Sequence, residues 1–153
     1  TTNPPEDSIA TLLGELNMHV YGSKEYLKKV KNVDDFEWVT YIRKDQADTN
    51  FVVNSFFQNP NIIISSNSYQ DAHAFVSSGN GVTFLTELDG DNDPRLVPFN
   101  KNEYSFKIGF YLIQHELSRS NPIVRAVKQT VLENIEELLK GTNFVAASAI
   151  KKN

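Results

Sequence analysis

Residues 61–87, NIIISSNSYQDAHAFVSSGNGVTFLTE, constrain the fold more than any other stretch. They read as a buried strand, a helix opened by a polar cap, a glycine stop and a second strand. Residues 61–64 form a short β-branched run suited to a strand covered on both faces. Ser65, Ser66, Asn67 and Ser68 are small and polar, and they stand where strand must become helix. One of them therefore supplies the N-cap. Tyr69, Ala72, Phe75 and Val76 then recur at helical spacing. Gly79 and Gly81 flank Asn80, which suits a left-handed helix end and a tight entry into a strand over residues 82–85. A helix N-terminus at a strand end offers free N–H groups and a positive dipole, and so attracts a small anion. The same geometry is the ordinary corner of any α/β fold, so these residues alone leave both readings open.

Bulk properties narrow the class. A length of 153 residues suits one domain or two small lobes. The net charge of −4 opposes a non-specific nucleic-acid binder, which needs a basic surface. The absence of cysteine removes disulfides, thiolate metal sites and a cysteine nucleophile, and it suits a reducing cytoplasm. No apolar run approaches the roughly 20 residues of a membrane span. The opening TTNPPEDS lacks methionine, which fits a processed chain or a piece of a longer one.

The remainder of the chain alternates in the same manner. Strands are expected at 16–21, 38–42, 96–99 and 104–113, with 8–14 a helical turn or loose connector. Ser23 is expected to cap a helix over 24–31, and Pro60 to stop one over 50–59. DGDNDP, at 89–94, reads as a turn-rich loop. Ser120 or Asn121 caps the strongest helix, with Pro122 at its first position. Its stripe is Ile123, Val127, Val131, Ile135 and Leu138, and Gly141 ends it. This order predicts an α/β fold with a mostly parallel sheet flanked by helices.

Chemistry is sparse. Asp89, Asp91 and Asp93 resemble the start of a calcium loop, but Pro94 and Asn100 occupy positions that need glycine and a bidentate glutamate. His19, His73 and His115 share no metal-ligand spacing. There is no GxSxG elbow, GxGxxG or P-loop. No cofactor, metal or catalytic set is therefore expected. What remains is polar residues at strand-to-helix corners: Tyr41, Arg43, Lys44 and Asp45 after one strand, Ser65, Ser66, Asn67 and Ser68 after the next, and Thr86 and Glu87 after a third. In open parallel sheets such corners line one crevice, a place for a small molecule. Arg43 or Lys44 would provide charge, and Arg43 with the cap-rich corner at 65–68 favours an anionic ligand over a cation.

The order of motifs is similar to one family. Leu13-Gly14-Glu15-Leu16, Val20, Gly22-Ser23 and Tyr26-Leu27 come first, then Val33-Asp34-Asp35-Phe36. Phe75-Val76, Gly79, Gly81-Val82 and Leu85 follow, with Thr86 where the family has proline. Together they resemble the C-terminal effector-binding domain of LysR-type transcriptional regulators, over about residues 8–139. The resemblance implies a periplasmic-binding-protein-like fold of type II, in which two α/β subdomains joined by two crossover strands close around a small molecule. By it, 1–17 is part of the first subdomain and 18–112 is the second; 113–153 is the return segment, with the C-terminal helix of the first and a tail. The implied effector contacts are Ser65, Ser66, Asn67 and Ser68, and the loop at 44–48. The implied protein is cytoplasmic and not an enzyme, free of membranes, and a homodimer or tetramer. It would touch DNA only through a helix-turn-helix that these residues do not include. An incomplete first subdomain should leave the stripe of helix 121–139 partly uncovered. A periplasmic solute-binding protein of the same fold is the alternative.

Overall fold

The computed structural model describes residues 7–41, 49–140 and 144–150. Its contacts fall into two compact units, Thr1–Asn17 with Lys107–Asn153, and Met18–Phe106.

The second unit is a sheet in the order β3-β2-β4-β1-β5. Its strands are the later part of β1 (Ser8–Ser23), β2 (Glu37–Tyr41), β3 (Asn61–Ser66), β4 (Val82–Thr86) and β5 (Leu96–Phe99). β2 is parallel to both β3 and β4, and helices α2 (Thr49–Phe56) and α3 (Tyr69–Ser77) make those crossovers. β1 lies antiparallel between β4 and β5, so the sheet is mixed.

Strand alternation sorts the core onto two faces. Tyr21, Val39, Tyr41 and Leu85 pack with Ala72 and Val76 of α3 on one. The other is aromatic: Trp38 stacks on Phe84 with centroids 5.6 Å apart and lies 4.7 Å from Phe57, while Phe36 meets Phe99 edge-on at 4.8 Å. Such contacts add to the area that large rings bury. Ser23 caps α1 (Lys24–Lys29), accepting the Tyr26 N–H at 3.0 Å, and the Tyr26 hydroxyl accepts the Glu37 N–H at 2.8 Å. Gly79 and Gly81 both have positive φ, as the sequence predicts. A Cβ on Gly81 would also strike the Glu37 carbonyl.

Three expectations are corrected. Residues 8–14 are strand, not helical turn or connector, because the early part of β1 finds partners late in the chain. The loop expected at 89–94 begins inside a helix, α4 (Glu87–Asn92), which Thr86 caps. β3 is not covered on both faces: it pairs only with β2, its residues alternate in exposure, and Ile63 is 39% exposed.

The first unit holds the early part of β1, most of β6 (Ser105–His115), α5 (Pro122–Leu138), β7 (Val145–Ala146) and the short α6 (Ala147–Ile150). β6 and β7 both pair with β1, β7 through Gly14↔Ala146 and Glu15↔Val145. Gly14 has no room for a side chain, because Phe144 and the Val145 carbonyl sit against it. Asn121 is the cap of α5, accepting the Ile123 N–H at 2.9 Å, with Pro122 next. Along the expected stripe Ile135 is buried, but Ile123 is 72% and Val127 57% exposed. The Leu138 side chain and Gly141 lie outside the described residues.

Candidate functional site

The parallel register brings the carboxyl ends of three strands to one edge of the second unit. Tyr41 stands opposite Ser66, and Trp38 opposite Val82, which carries Thr86 to the same end. Of the residues singled out from the sequence, Ser65, Ser66, Asn67, Ser68 and Thr86 are therefore on this edge. Arg43, Lys44 and Asp45 lie outside the described residues.

Each polar side chain has a local reason for its position. Ser65 points to β2 and α2: its hydroxyl is 2.8 Å from Thr40 Oγ1 and 3.4 Å from Asn50 Oδ1. Ser66 Oγ accepts the Ser68 N–H at 3.0 Å, which turns the chain out of the strand. Asn67 is exposed on the bend between them. Ser68 is the N-cap of α3, with extended backbone and a hydroxyl accepting the Asp71 N–H at 3.2 Å. Asp71 stands in the first turn, its carboxylate 3.5 Å from Ser66 Oγ. A carboxylate there already answers the helix dipole, which weakens the corner's pull on a free anion.

Tyr69 and Asp89 tie the third strand end to the other two, and the sequence reading gave neither a site role. The Tyr69 hydroxyl donates to Asp89 Oδ2 at 2.6 Å and accepts the Thr86 N–H at 3.2 Å. Thr86 Oγ1 donates to the same carboxylate oxygen at 2.6 Å and accepts the Asp89 N–H at 3.1 Å. The Tyr69 ring packs edge-on against Tyr41, centroids 5.1 Å apart. Burial, with the Asp89 carboxylate adding to it, pushes the Tyr69 phenol well above its ordinary range and keeps it a neutral donor. Thr86 is thus committed to capping, in a place where the resemblance expects proline. The signal for Tyr69 was present as a polar ring on an otherwise apolar stripe.

A cavity of about 450 Å³ on the same unit is lined by His73, Leu88, Asp89, Asn92, Asp93, Pro94 and Arg95. It shares Asp89 with the network but none of the four residues 65–68. Below it, Asp93 accepts from Ser77 Oγ at 2.9 Å, meets His73 Nε2 at 3.0 Å, and takes two guanidinium bonds from Arg95 at 2.9 and 2.6 Å. Arg95 holds the Asp93 carboxyl well below the usual carboxylate range. Serine and histidine here both bind the acid, and Ser77 also donates to the His73 carbonyl at 2.8 Å. That is an anchor between α3 and the turn after α4, not a serine–histidine–acid relay. Among the described residues no cluster of metal-ligating side chains occurs.

No family model and no curated protein sequence matches the chain. Solved structures do. The regulatory domain of HypT from Salmonella typhimurium superposes with a TM-score of 0.66 at 12% identity, over 88% of this chain and 68% of that one. The regulatory domain of CrgA, a LysR-type transcriptional regulator from Neisseria meningitidis, gives 0.66 at 17%, over 86% and 71%. Full-length LysG from Corynebacterium glutamicum, with bound effector Arg, gives 0.63 at 12%, over 90% of this chain and 49% of that one. The chain thus spans about half the length of such a full regulator. Its α/β architecture, a mixed sheet flanked by helices, is that of LysR-type regulatory domains, the periplasmic-binding-protein-like fold of type II.

Proposed function

We propose that this chain is the effector-sensing part of a LysR-type transcriptional regulator. The observation that carries the reading is a fold likeness to regulatory domains that runs over 85–90% of the chain. The ordered sequence motifs support it independently. The solved structures described above are transcriptional regulators, and the alternative of a periplasmic solute-binding protein is not favoured. On this reading the chain senses and does not transform, acts in the cytoplasm as part of an oligomer, and reaches DNA through another domain. Among the described residues no helix is long and apolar enough to cross a membrane.

The effector would sit against the strand ends at Ser65, Ser66, Asn67 and Ser68, with Tyr69 and Thr86 as the rigid floor. Backbone N–H groups and hydroxyls there suit a small polar molecule with several hydrogen-bonding atoms. Asp71 and Asp89 make the described corner acidic, so an anionic effector would depend on Arg43 and Lys44 for its countercharge. Asp45, on the same segment, would accept from an ammonium or hydroxyl group. Binding would favour one of two conformations, and the oligomer would convey that preference to DNA.

Thermal-shift and calorimetric titration with free amino acids, dicarboxylates and hydroxy acids test this. We expect one class to stabilise the chain, and Asn67→Ala to weaken its binding at least tenfold while leaving the unliganded melting temperature unchanged. Asn67 is the informative position because Ser66 and Ser68 also shape the turn. Affinity unchanged from that of the original chain in both Asn67→Ala and Ser65→Ala would remove the effector from this corner.

A further inference from the structure

On the α3 side of the second unit lies a buried charge cluster that the sensing site does not use. His19 is 6% exposed on β1, opposite Leu85, and its Nδ1 has no hydrogen-bond partner. Its Nε2 is 3.8 Å from Glu87 Oε2, too far for a hydrogen bond. Glu87 is itself buried, at 9% exposure, and its other oxygen accepts from Lys101 Nζ at 2.9 Å. Lys101 is shared with Asp91 at 2.8 Å, and Asp91 accepts from the Tyr21 hydroxyl at 2.7 Å. The Tyr21 ring meets His19 edge-on, centroids 6.4 Å apart. Among the described residues, Glu87 and Asp91 from α4, Lys101 after β5 and Tyr21 on β1 are the ionisable groups around the imidazole.

Nε2 faces a buried carboxylate across a gap that a hydrogen bond would close, so the pair stands open while the ring is neutral. We propose that His19 and Glu87 form a proton-operated latch, in which charged His19 draws Glu87 away from Lys101 and shifts the first turn of α4. The proton comes from solvent and makes both ring nitrogens donors. Glu87 is the carboxylate within reach: its Oε2 faces Nε2 while its Oε1 holds Lys101, so closing on the charged ring pulls against the Lys101 contact. Because Glu87 directly follows Thr86, the cap of α4, the displacement bears on the Thr86–Asp89–Tyr69 network. Burial is the main reason the folded imidazole resists charging, and Lys101 adds to it against the opposing pull of Glu87 and Asp91. The neutral arrangement's stability is therefore present above the ordinary histidine value of about 6.5 and is lost as pH falls through the lower folded value. This goes beyond the sensing role and does not depend on it.

Two-dimensional NMR of the isotope-labelled chain between pH 8 and pH 5 tests the latch without any effector. The His19 ring should titrate below its value in the urea-unfolded chain, and the Thr86, Glu87 and Asp91 amides should shift with the same midpoint. Glu87→Gln should lower that midpoint and abolish the amide shifts. Lys101→Met should raise it, and His19→Gln should leave the amides flat. Amide shifts that persist in His19→Gln, or a His19 titration that leaves the amides still, overturn the proposal.

Discussion

The two units of this chain use apolar residues in opposite ways. In the second, Trp38, Phe36, Phe84, Val39, Val76 and Val82 are at most 1% exposed, and Tyr21 and Leu85 are fully buried beside them. In the first, Leu13, Leu16 and Ile135 are buried, but Leu117 is 86%, Ile123 72%, Val127 57% and Ile113 53% exposed. Both units use the same helix and strand periods, so the difference is not one of sequence pattern. It is one of coverage: the five-stranded unit has helices or rings against its sheet, whereas the α5 and β6 residues just named have apolar atoms facing open space. The proposed site, built on hydrogen bonds of 2.6–3.2 Å, needs the first situation, because hydroxyl positions hold only when the strands beneath them do. Exposed apolar groups of the second kind carry no such positional demand, and whether they join into a covered surface is a question for assembly.

The largest effect should come from truncating the aromatic face. Trp38→Ala removes a ring packed on Phe84, Phe57 and Phe36 and should cost about 3–5 kcal/mol in urea unfolding. Val127→Ala, on the open face of the other unit, should stay within about 0.5 kcal/mol. Comparable losses at the two positions would break the contrast, because Val127 would then be covered.

Next in size is the Asp93 anchor, which sharpens the contrast by asking how much of the second unit's order is polar. Asp93→Ala removes the acceptor shared by buried Ser77 and half-buried His73 and releases Arg95. Arg95 is 62% exposed along its side chain, so solvent screens its share. We expect a loss of about 1 kcal/mol, because Ser77 keeps its bond to the His73 carbonyl and His73 stays partly solvated. The folded carboxyl is held below the ordinary range, chiefly by the Arg95 guanidinium, so the unfolded chain takes up the proton first. The anchor's contribution is therefore complete above about pH 4 and is lost as pH falls below it. Acid titrations of the original chain and of Asp93→Ala should converge in that window. Parallel curves would show that Asp93 titrates normally.

What could be read in advance follows from the range of the forces involved. The strand–helix–strand at 61–87 was legible because its signals are local: a serine cap, a 3.6-residue stripe, and glycines at positive φ. So was the cap of α5, where Asn121 stands before Pro122. α4 was not, because ELDGDN has poor helix formers and resembles a turn. It is helical because Thr86 caps it and because Tyr69 and Tyr21 reach Asp89 and Asp91 from elsewhere in the chain. The early part of β1 pairs with residues 145–146, and no local window contains that partner. The run of isoleucines in β3 fits an edge as well as a centre, since hydropathy does not reveal how many neighbours a strand has. In the candidate site the corner residues were recognisable as caps, whereas Asp93 looked like loop polarity until His73, Ser77 and Arg95 were seen around it.

The smallest expected change in stability is the one that bears most on the open face. Leu117 and Val127 lie in the first unit with more than half of their surface in water, so replacing both by serine removes little buried area. Unfolding free energy should move by no more than about 0.5 kcal/mol. Association should respond far more, because surrendering exposed apolar surface is what drives contact between copies or with a covering segment. Sedimentation velocity at rising concentration should show the original chain self-associating and the double variant remaining a monomer. If both chains are monomeric at every concentration, the face is not covered by a second copy of these residues. If the double variant associates as well as the original, the contact lies elsewhere, and the contrast between the two units has no bearing on assembly.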